Sequence, residues 1–174
     1  MGKANVQVRN FRTKVIDVTL TNATSANYVA GDVFVETQEI DLGGSASFPT
    51  RGTINNFTLI DKNDLGKQCD VIFLSSNVSV GSADGAVGLS AANSANVLGI
   101  VDTGTGYVDL INSKVVKPSA FAPIHFDLTD NKLYVAVVAR EAIDNSGGSA
   151  NFLVLRLGLT IEKGHSVTIR NGKR

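Results

Sequence analysis

The sequence predicts an all-β chain, a jelly-roll-like antiparallel β-sandwich with short terminal extensions. Apolar residues recur at every second position in run after run, and clusters of Gly, Asn, Asp, Ser and Thr separate the runs. No apolar stretch reaches the roughly 18 residues that would cross a bilayer as a helix. Alternation puts one face of a strand in a core and the other in water. Eight or more such strands at this spacing make a sandwich or barrel, and the double-sheet jelly roll suits a chain of 174 residues.

The elements follow in order. Ile16, Val18 and Leu20 alternate with Asp17 and Thr19. Val33 and Val35 follow a Gly-Asp turn, and Ile54, Phe57 and Leu59 follow Arg51-Gly52. Cys69, Val71 and Phe73 form the next set, then Ile124, Phe126 and Leu128, then Leu133, Val135 and Val137. Leu153, Leu155, Leu157, Leu159 and Ile161 make the longest run, and Val167 and Ile169 close the chain. Turn residues fill 21–27, 41–47, 62–67, 103–106, 129–131 and 144–150. Val71–Leu74 and Leu133–Val138 are apolar on both faces, which places them centrally or against a second subunit. Residues 78–96, rich in Ser, Ala, Gly and Asn, read as a long loop with one helical turn at 90–95.

Net charge is zero, but the charges are segregated. Lys3, Arg9, Arg12 and Lys14 precede the first acid, and Lys163, Arg170, Lys173 and Arg174 follow the last. All 16 carboxylates and eight Lys or Arg lie between Asp17 and Glu162, leaving that stretch at −8 and each end at +4. The expected organisation is a basic N-terminal arm (1–16), a jelly-roll domain (17–162) and a basic C-terminal extension (163–174). Such ends are either solvated tails or arms that reach an acidic partner. The N-terminus has no apolar stretch to serve as a signal peptide, and Val6 stands where a myristoylation signal needs Ser or Thr. The single Cys69 has no partner for an internal disulfide, which fits synthesis in a reducing cytoplasm.

No motif supplies a convincing catalytic or metal centre. Asp102-Thr103-Gly104 after the apolar Leu98–Val101 matches the opening of a retroviral-type aspartic protease, but it equally suits a turn ending a strand. His125 and His165 are the only histidines, and with one cysteine they do not make a zinc signature. Asp61-Lys62-Asn63-Asp64-Leu65-Gly66 begins like a calcium loop, yet Ile72 stands where the bidentate Glu belongs. Asn22, Asn56 and Asn77 sit in sequons that carry no weight without a secretion signal. With no Trp, 6% aromatics and an acidic body, nucleic-acid stacking is not expected. Neither a cofactor nor a membrane partner is expected.

One resemblance adds to this reading. Asn27-Tyr28-Val29-Ala30-Gly31-Asp32-Val33 resembles a Y-A-A-G-D-V opening of small head proteins of tailed bacteriophages. Gly52-Thr53-Ile54 and Leu59-Ile60-Asp61 follow at a similar spacing. Gln68-Cys69-Asp70-Val71-Ile72-Phe73-Leu74 resembles that group's Q-x-D-x-x-L-F strand. The Asp-, Ala- and Ser-rich loop, Val97–Val101, Lys132–Val135 and Phe152–Leu159 continue the likeness as a loose pattern over most of the chain. The resemblance implies a jelly-roll decoration, or cement, protein on the outer surface of an icosahedral head, with no enzymatic activity. Its implied partners are the major capsid protein and further copies of itself, as a dimer or trimer; the two strands apolar on both faces fit self-association, with a homotrimer slightly favoured over a homodimer. The ends depart from the pattern, so their role rests on charge and on apolar neighbours. The candidate capsid contacts are Lys3, Val6, Val8, Arg9, Phe11, Arg12, Lys14, Arg170, Lys173 and Arg174. The competing readings are a carbohydrate- or receptor-binding module of a fibre, which needs aromatic platforms, and the protease using Asp102.

Overall fold

A computed structural model describes residues 5–22, 27–43, 50–145 and 149–168. The strands, in chain order, are β1 (Asn5–Leu20), β2 (Asn27–Tyr28), β3 (Val33–Asp41), β4 (Thr50–Asp61), β5 (Cys69–Leu74), β6 (Val97–Asp102), β7 (Val108–Asp109), β8 (Lys114–Val116), β9 (Ile124–Leu128), β10 (Lys132–Ala139), β11 (Ile143–Asp144) and β12 (Leu153–Thr168). The one helix described, α1 (Ala91–Ser94), is a single turn capped by Ser90, whose side chain accepts from the Asn93 amide.

Pairing among the eight main strands is nested. β1 pairs with β12, β3 with β10, β4 with β9, and β5 with β6, all antiparallel. The nested pairs then join through β12–β4 and β10–β5. One sheet therefore runs β1-β12-β4 with β9 and the β8-β7 hairpin sharing the far side of β4, and the other runs β3-β10-β5-β6. An antiparallel ribbon of four nested pairs rolled into two facing sheets is a jelly roll, so the predicted fold class stands on the hydrogen-bond pattern itself.

The core lies between the sheets and is filled by the alternation read from the sequence. Leu153, Leu155, Leu157, Leu159 and Ile161 of β12 meet Cys69, Val71 and Phe73 of β5 and Leu133, Val135 and Val137 of β10 in one buried cluster. Phe57 is fully buried and touches Phe73 and Phe121 edge-on, with ring centroids 5.9 and 5.6 Å apart. Glycine, turn and charge positions between the runs fall outside this cluster, as period-two patterning requires.

The two strands apolar on both faces are central, with neighbours on each side. Their outer residues, Ile72, Leu74, Tyr134, Ala136 and Val138, join Val33 and Val80 in a second buried cluster. Val78, Leu89 and Val97 pack onto it. The long loop that the composition marks as irregular thus covers these residues, which are buried within the chain itself. Thr37 donates to the Val78 carbonyl, and amides of 83, 85 and 88 bond back to the loop or to β3. Gly81, at φ +134, lets the loop pass where a Cβ would meet the Ala86 carbonyl at 2.9 Å and Val33 at 2.9 Å.

β1 runs through Asp17 without a break, and β12 runs through Glu162, so both expected domain boundaries fall inside one long strand pair. Charge changes sign there while backbone pairing continues, because pairing depends on main-chain groups and not on side-chain charge. β12 also absorbs Val167 into the same strand as Leu153–Ile161; Ile169 lies outside the described residues.

Two outcomes are expected. Phe57→Ala should lower unfolding stability by about 3–5 kcal/mol, measured by chemical denaturation, because it opens a cavity beside two aromatic rings. Burial pushes the Cys69 thiol up to about 12, so native protein should resist a thiol reagent at pH 8 and react stoichiometrically once unfolded.

Candidate interaction surfaces

The motifs that carry a chemical alternative resolve into structural contacts. Asp102 ends β6 opposite Asp70 of β5. Both Asp102 oxygens accept from Gln68 Nε2 at 2.9 Å, and Oδ1 also accepts from the Gly104 amide at 2.7 Å. Arg140 donates to Asp70 at 2.8 Å and reaches Asp102 at 3.5 Å. The Gln68 and Gly104 bonds, with Arg140 behind them, hold the Asp102 carboxyl below the usual carboxylate range. These contacts favour the ionised form of Asp102, whereas the protease chemistry needs two carboxyls that share a proton. Thr103 accepts from the Cys69 amide and returns its own amide to the Cys69 carbonyl, which closes the strand end.

Asp61 is buried, and its oxygens accept from the amides of Asn63 and Gly66 at 2.9 and 2.7 Å. The resemblance to a calcium loop ends there, because the carboxylate folds the loop onto itself and an ammonium serves the outside. Lys114 Nζ donates to the Asp64 carbonyl at 2.8 Å. Gly66, at φ +60, leaves room for the Lys114 stem, which a Cβ would meet at 2.4 Å. No cluster of three potential metal ligands occurs among the described residues. His125 shares a 2.9 Å hydrogen bond with Thr53 on the exposed sheet face.

That face, the outside of the β1-β12-β4-β9 sheet, is polar and largely self-paired. Arg156 grips Asp17 through two bonds of 2.7 Å, Arg51 meets Asp127 at 2.8 Å, and Asn55 donates to Thr160 at 2.9 Å. A shallow depression of about 240 Å³ on it is lined by Phe11, Arg51, Thr53, His125, Thr160 and Glu162. Phe11, 66% exposed, is the one fully exposed aromatic ring among the described residues, so the stacking platform of a sugar site is not assembled there. A larger open groove of about 680 Å³ follows the free edge of β6 against residues 119–125.

Of the candidate capsid contacts, Lys3, Arg170, Lys173 and Arg174 lie outside the described residues. Val6, Val8 and Arg9 stand on β1 opposite Val167, His165 and Gly164. Arg12 is exposed opposite Ile161, and Lys14 donates to the Leu42 carbonyl at 3.0 Å, which ties it to the sandwich. The pairing of β12 with β4 stops at Glu162–Arg51, but its pairing with β1 goes on from Asn10–Lys163 to Asn5–Thr168. Six residue pairs therefore leave the sheet as a two-stranded ribbon about 20 Å long. Neither of its outer edges has a neighbouring strand among the described residues.

A second surface has no counterpart in the sequence reading. The β7–β8 hairpin exposes Val108 (61%), Leu110 (55%) and Ile111 (87%) at its tip. Ile111 has φ +77, in the left-handed region where a β-branched residue is strained. The only sequence signal is an apolar pair, Leu110-Ile111, set in a turn between Asp109 and Asn112 where polar residues are usual.

No protein-family model matches the chain, and no curated protein sequence matches it. Among solved structures, a chain of Desmodium yellow mottle tymovirus is similar at 10% identity and a TM-score of 0.33, over 95% of this chain and 86% of that one. A chain of turnip yellow mosaic virus is similar at 8% identity and a TM-score of 0.30, over 98% and 87%. The fold assignment rests on the strand pairing and not on these likenesses.

The acidic groups give a prediction with a defined sign. Arg156 holds Asp17, as Gln68 holds Asp102, below the ordinary value of 3.8. A depressed folded-state pKa adds stability that is fully present above the unfolded value and is lost as pH falls through the folded one. Buried Asp61 is raised chiefly by desolvation and acts in the opposite sense. Melting temperature should fall below about pH 4, and the fall should be shallower in the Arg156→Gln, Gln68→Ala double variant.

Proposed function

We propose that this chain is a structural virion protein that decorates the outer surface of an icosahedral head, contacts the major capsid protein and strengthens the lattice. The observation that carries the reading is the paired ribbon. Antiparallel pairing of the first and last strands sets Arg9, Arg12 and Lys14 of β1 and Lys163 of β12 on one strand pair, beside a 17–162 stretch whose net charge is −8. An acidic head exterior would repel such a body and attract the ribbon, which orients the molecule as it lands. Each exposed charge contact contributes about 0.2–1 kcal/mol, and several together supply a few kcal/mol, on the order of a hundredfold in affinity. The unpaired ribbon edges offer main-chain donors and acceptors to an added strand, a contact that salt does not screen. The loose likeness to phage head proteins supports the same reading. Its Asn27–Val33 segment has a folding role here: Asp32 accepts from the Val29 amide at 2.7 Å, and Tyr28 is buried edge-on against Phe34 at 4.8 Å. Self-association, as trimer before dimer, loses the motive drawn from β5 and β10, because the loop of the same chain covers them.

The test is co-sedimentation with heads of the encoding virus. Full-length chain should pellet with heads. A variant lacking residues 2–10 and 164–174 should keep its melting temperature within a few degrees and stay in the supernatant. Charge reversal at Arg9 and Arg12 should weaken binding most at low salt, where screening is least. Equal binding by the truncated chain overturns the ribbon as attachment element, and failure of the full chain to pellet overturns the virion reading.

A further inference from the structure

We infer that the β7–β8 hairpin tip is a second attachment point, an apolar knob that seats in a recess of a shell subunit adjacent to the one the ribbon engages. This rests on the virion reading above. The tip is built to hold its shape while leaving its side chains unused. The Leu110 amide donates to the Ser113 carbonyl at 2.8 Å, and the Ile111 amide donates to Asp109 Oδ1 at 2.8 Å. Lys114 at the hairpin base is tied to Asp64 across the loop after β4. The backbone is therefore pinned in a conformation that suits Gly or Asn, and the residue placed there is Ile111. Asn112 is its neighbour, so a one-position exchange would relieve the strain. A locally unfavourable choice that yields no internal contact points to an external one.

Size decides the occupant. Three side chains at a hairpin tip present a few hundred Å², well short of the roughly 800 Å² per partner of a free-standing complex. Such a knob holds only when another contact already tethers the molecule, which raises its effective concentration at the recess. The ribbon is that tether, and its position fixes the reach. The ribbon leaves β4 at Arg51, whereas the hairpin leaves it at Asp61, where Asp61 pairs with Lys114. Ten residues of extended chain separate the two points by about 33 Å, and the tip and ribbon point outward from opposite ends. A molecule held at both ends spans two shell subunits and resists their separation, which is what strengthening a lattice requires. The tip, from Leu110 to Ser113, carries no charge, so its contact is insensitive to salt.

The experiment separates binding from stabilisation. Ile111→Asn and Leu110→Ser are compared with the full chain for co-sedimentation with heads and for the temperature at which decorated heads break open. Ile111→Asn should itself melt no lower than the parent chain, since it relieves a left-handed β-branched residue. Both variants should still pellet with heads, with affinity reduced about tenfold equally at low and high salt, and should no longer raise the breakage temperature. Heads protected as well by Ile111→Asn as by the parent overturn the inference while leaving the virion reading intact. A full chain that never pellets with heads overturns both. Concentration-dependent self-association in ultracentrifugation that Ile111→Asn abolishes would assign the tip to a second copy and overturn the shell recess as its occupant.

Discussion

A strand whose inward face is Leu153, Leu155, Leu157, Leu159 and Ile161 gives up water along its backbone as well as its side chains. Every amide and carbonyl it buries must find a partner. β1 and β4 supply those partners on its two sides, and in doing so they fix the register of the whole first sheet. A slip of one residue would turn five large apolar side chains into solvent and bring Arg156 and Glu162 into the core. The second sheet depends on the first, since Phe73, Val135 and Leu133 pack against the face that β12 presents.

Much of this was legible in the residues. Alternation located the inward faces of the main strands, since a half-buried strand cannot hide its period. The doubly apolar Val71–Leu74 and Leu133–Val138 were legible as central strands, but what covers them was not. A covering loop needs small residues, turns and a few apolar anchors such as Val80, and that composition resembles any loop. The ends read as basic arms or solvated tails because charge dominates their composition. That Asn5–Asn10 and Lys163–Thr168 pair with each other depends on residues far apart in the chain, and no local pattern encodes it. The hairpin at Val108–Val116 is too short for a period, so its exposed tip left only the odd placement of Leu110-Ile111 as a sign. Asp102 and Asp61 carried misleading chemistry, because turn-closing carboxylates and catalytic or metal-binding ones share the same residue types.

The distribution of bonding capacity separates scaffold from surface. Inside, polar side chains bond across the fold: Thr50 bonds Asn131, Asn22 accepts from the Asn151 amide at 3.0 Å, and Tyr107 donates to the Lys67 carbonyl at 2.7 Å. On the polar outer face, charges cancel in pairs across neighbouring strands. The ends of the long axis of β4 carry capacity of two kinds, free main-chain edges of the ribbon at one and bare apolar side chains of the hairpin at the other.

The nested pairing also orders events in time. Asn5 bonds across to Thr168, about 160 positions away, and each inner pair spans a shorter loop than the one outside it. Closing short loops first costs least chain entropy, so β5–β6 is the natural seed and β1–β12 the last bond to form. Until β12 arrives, the place beside β4 is a strand-wide gap along β4's open edge, and β1, which pairs with β12 alone among the described residues, has no sheet to join. During synthesis from the N-terminus, that gap persists through most of the chain's emergence. Any foreign strand of suitable apolar pattern competes for it, and the same edge chemistry that would let the finished ribbon capture a partner makes the unfinished molecule vulnerable to its own siblings.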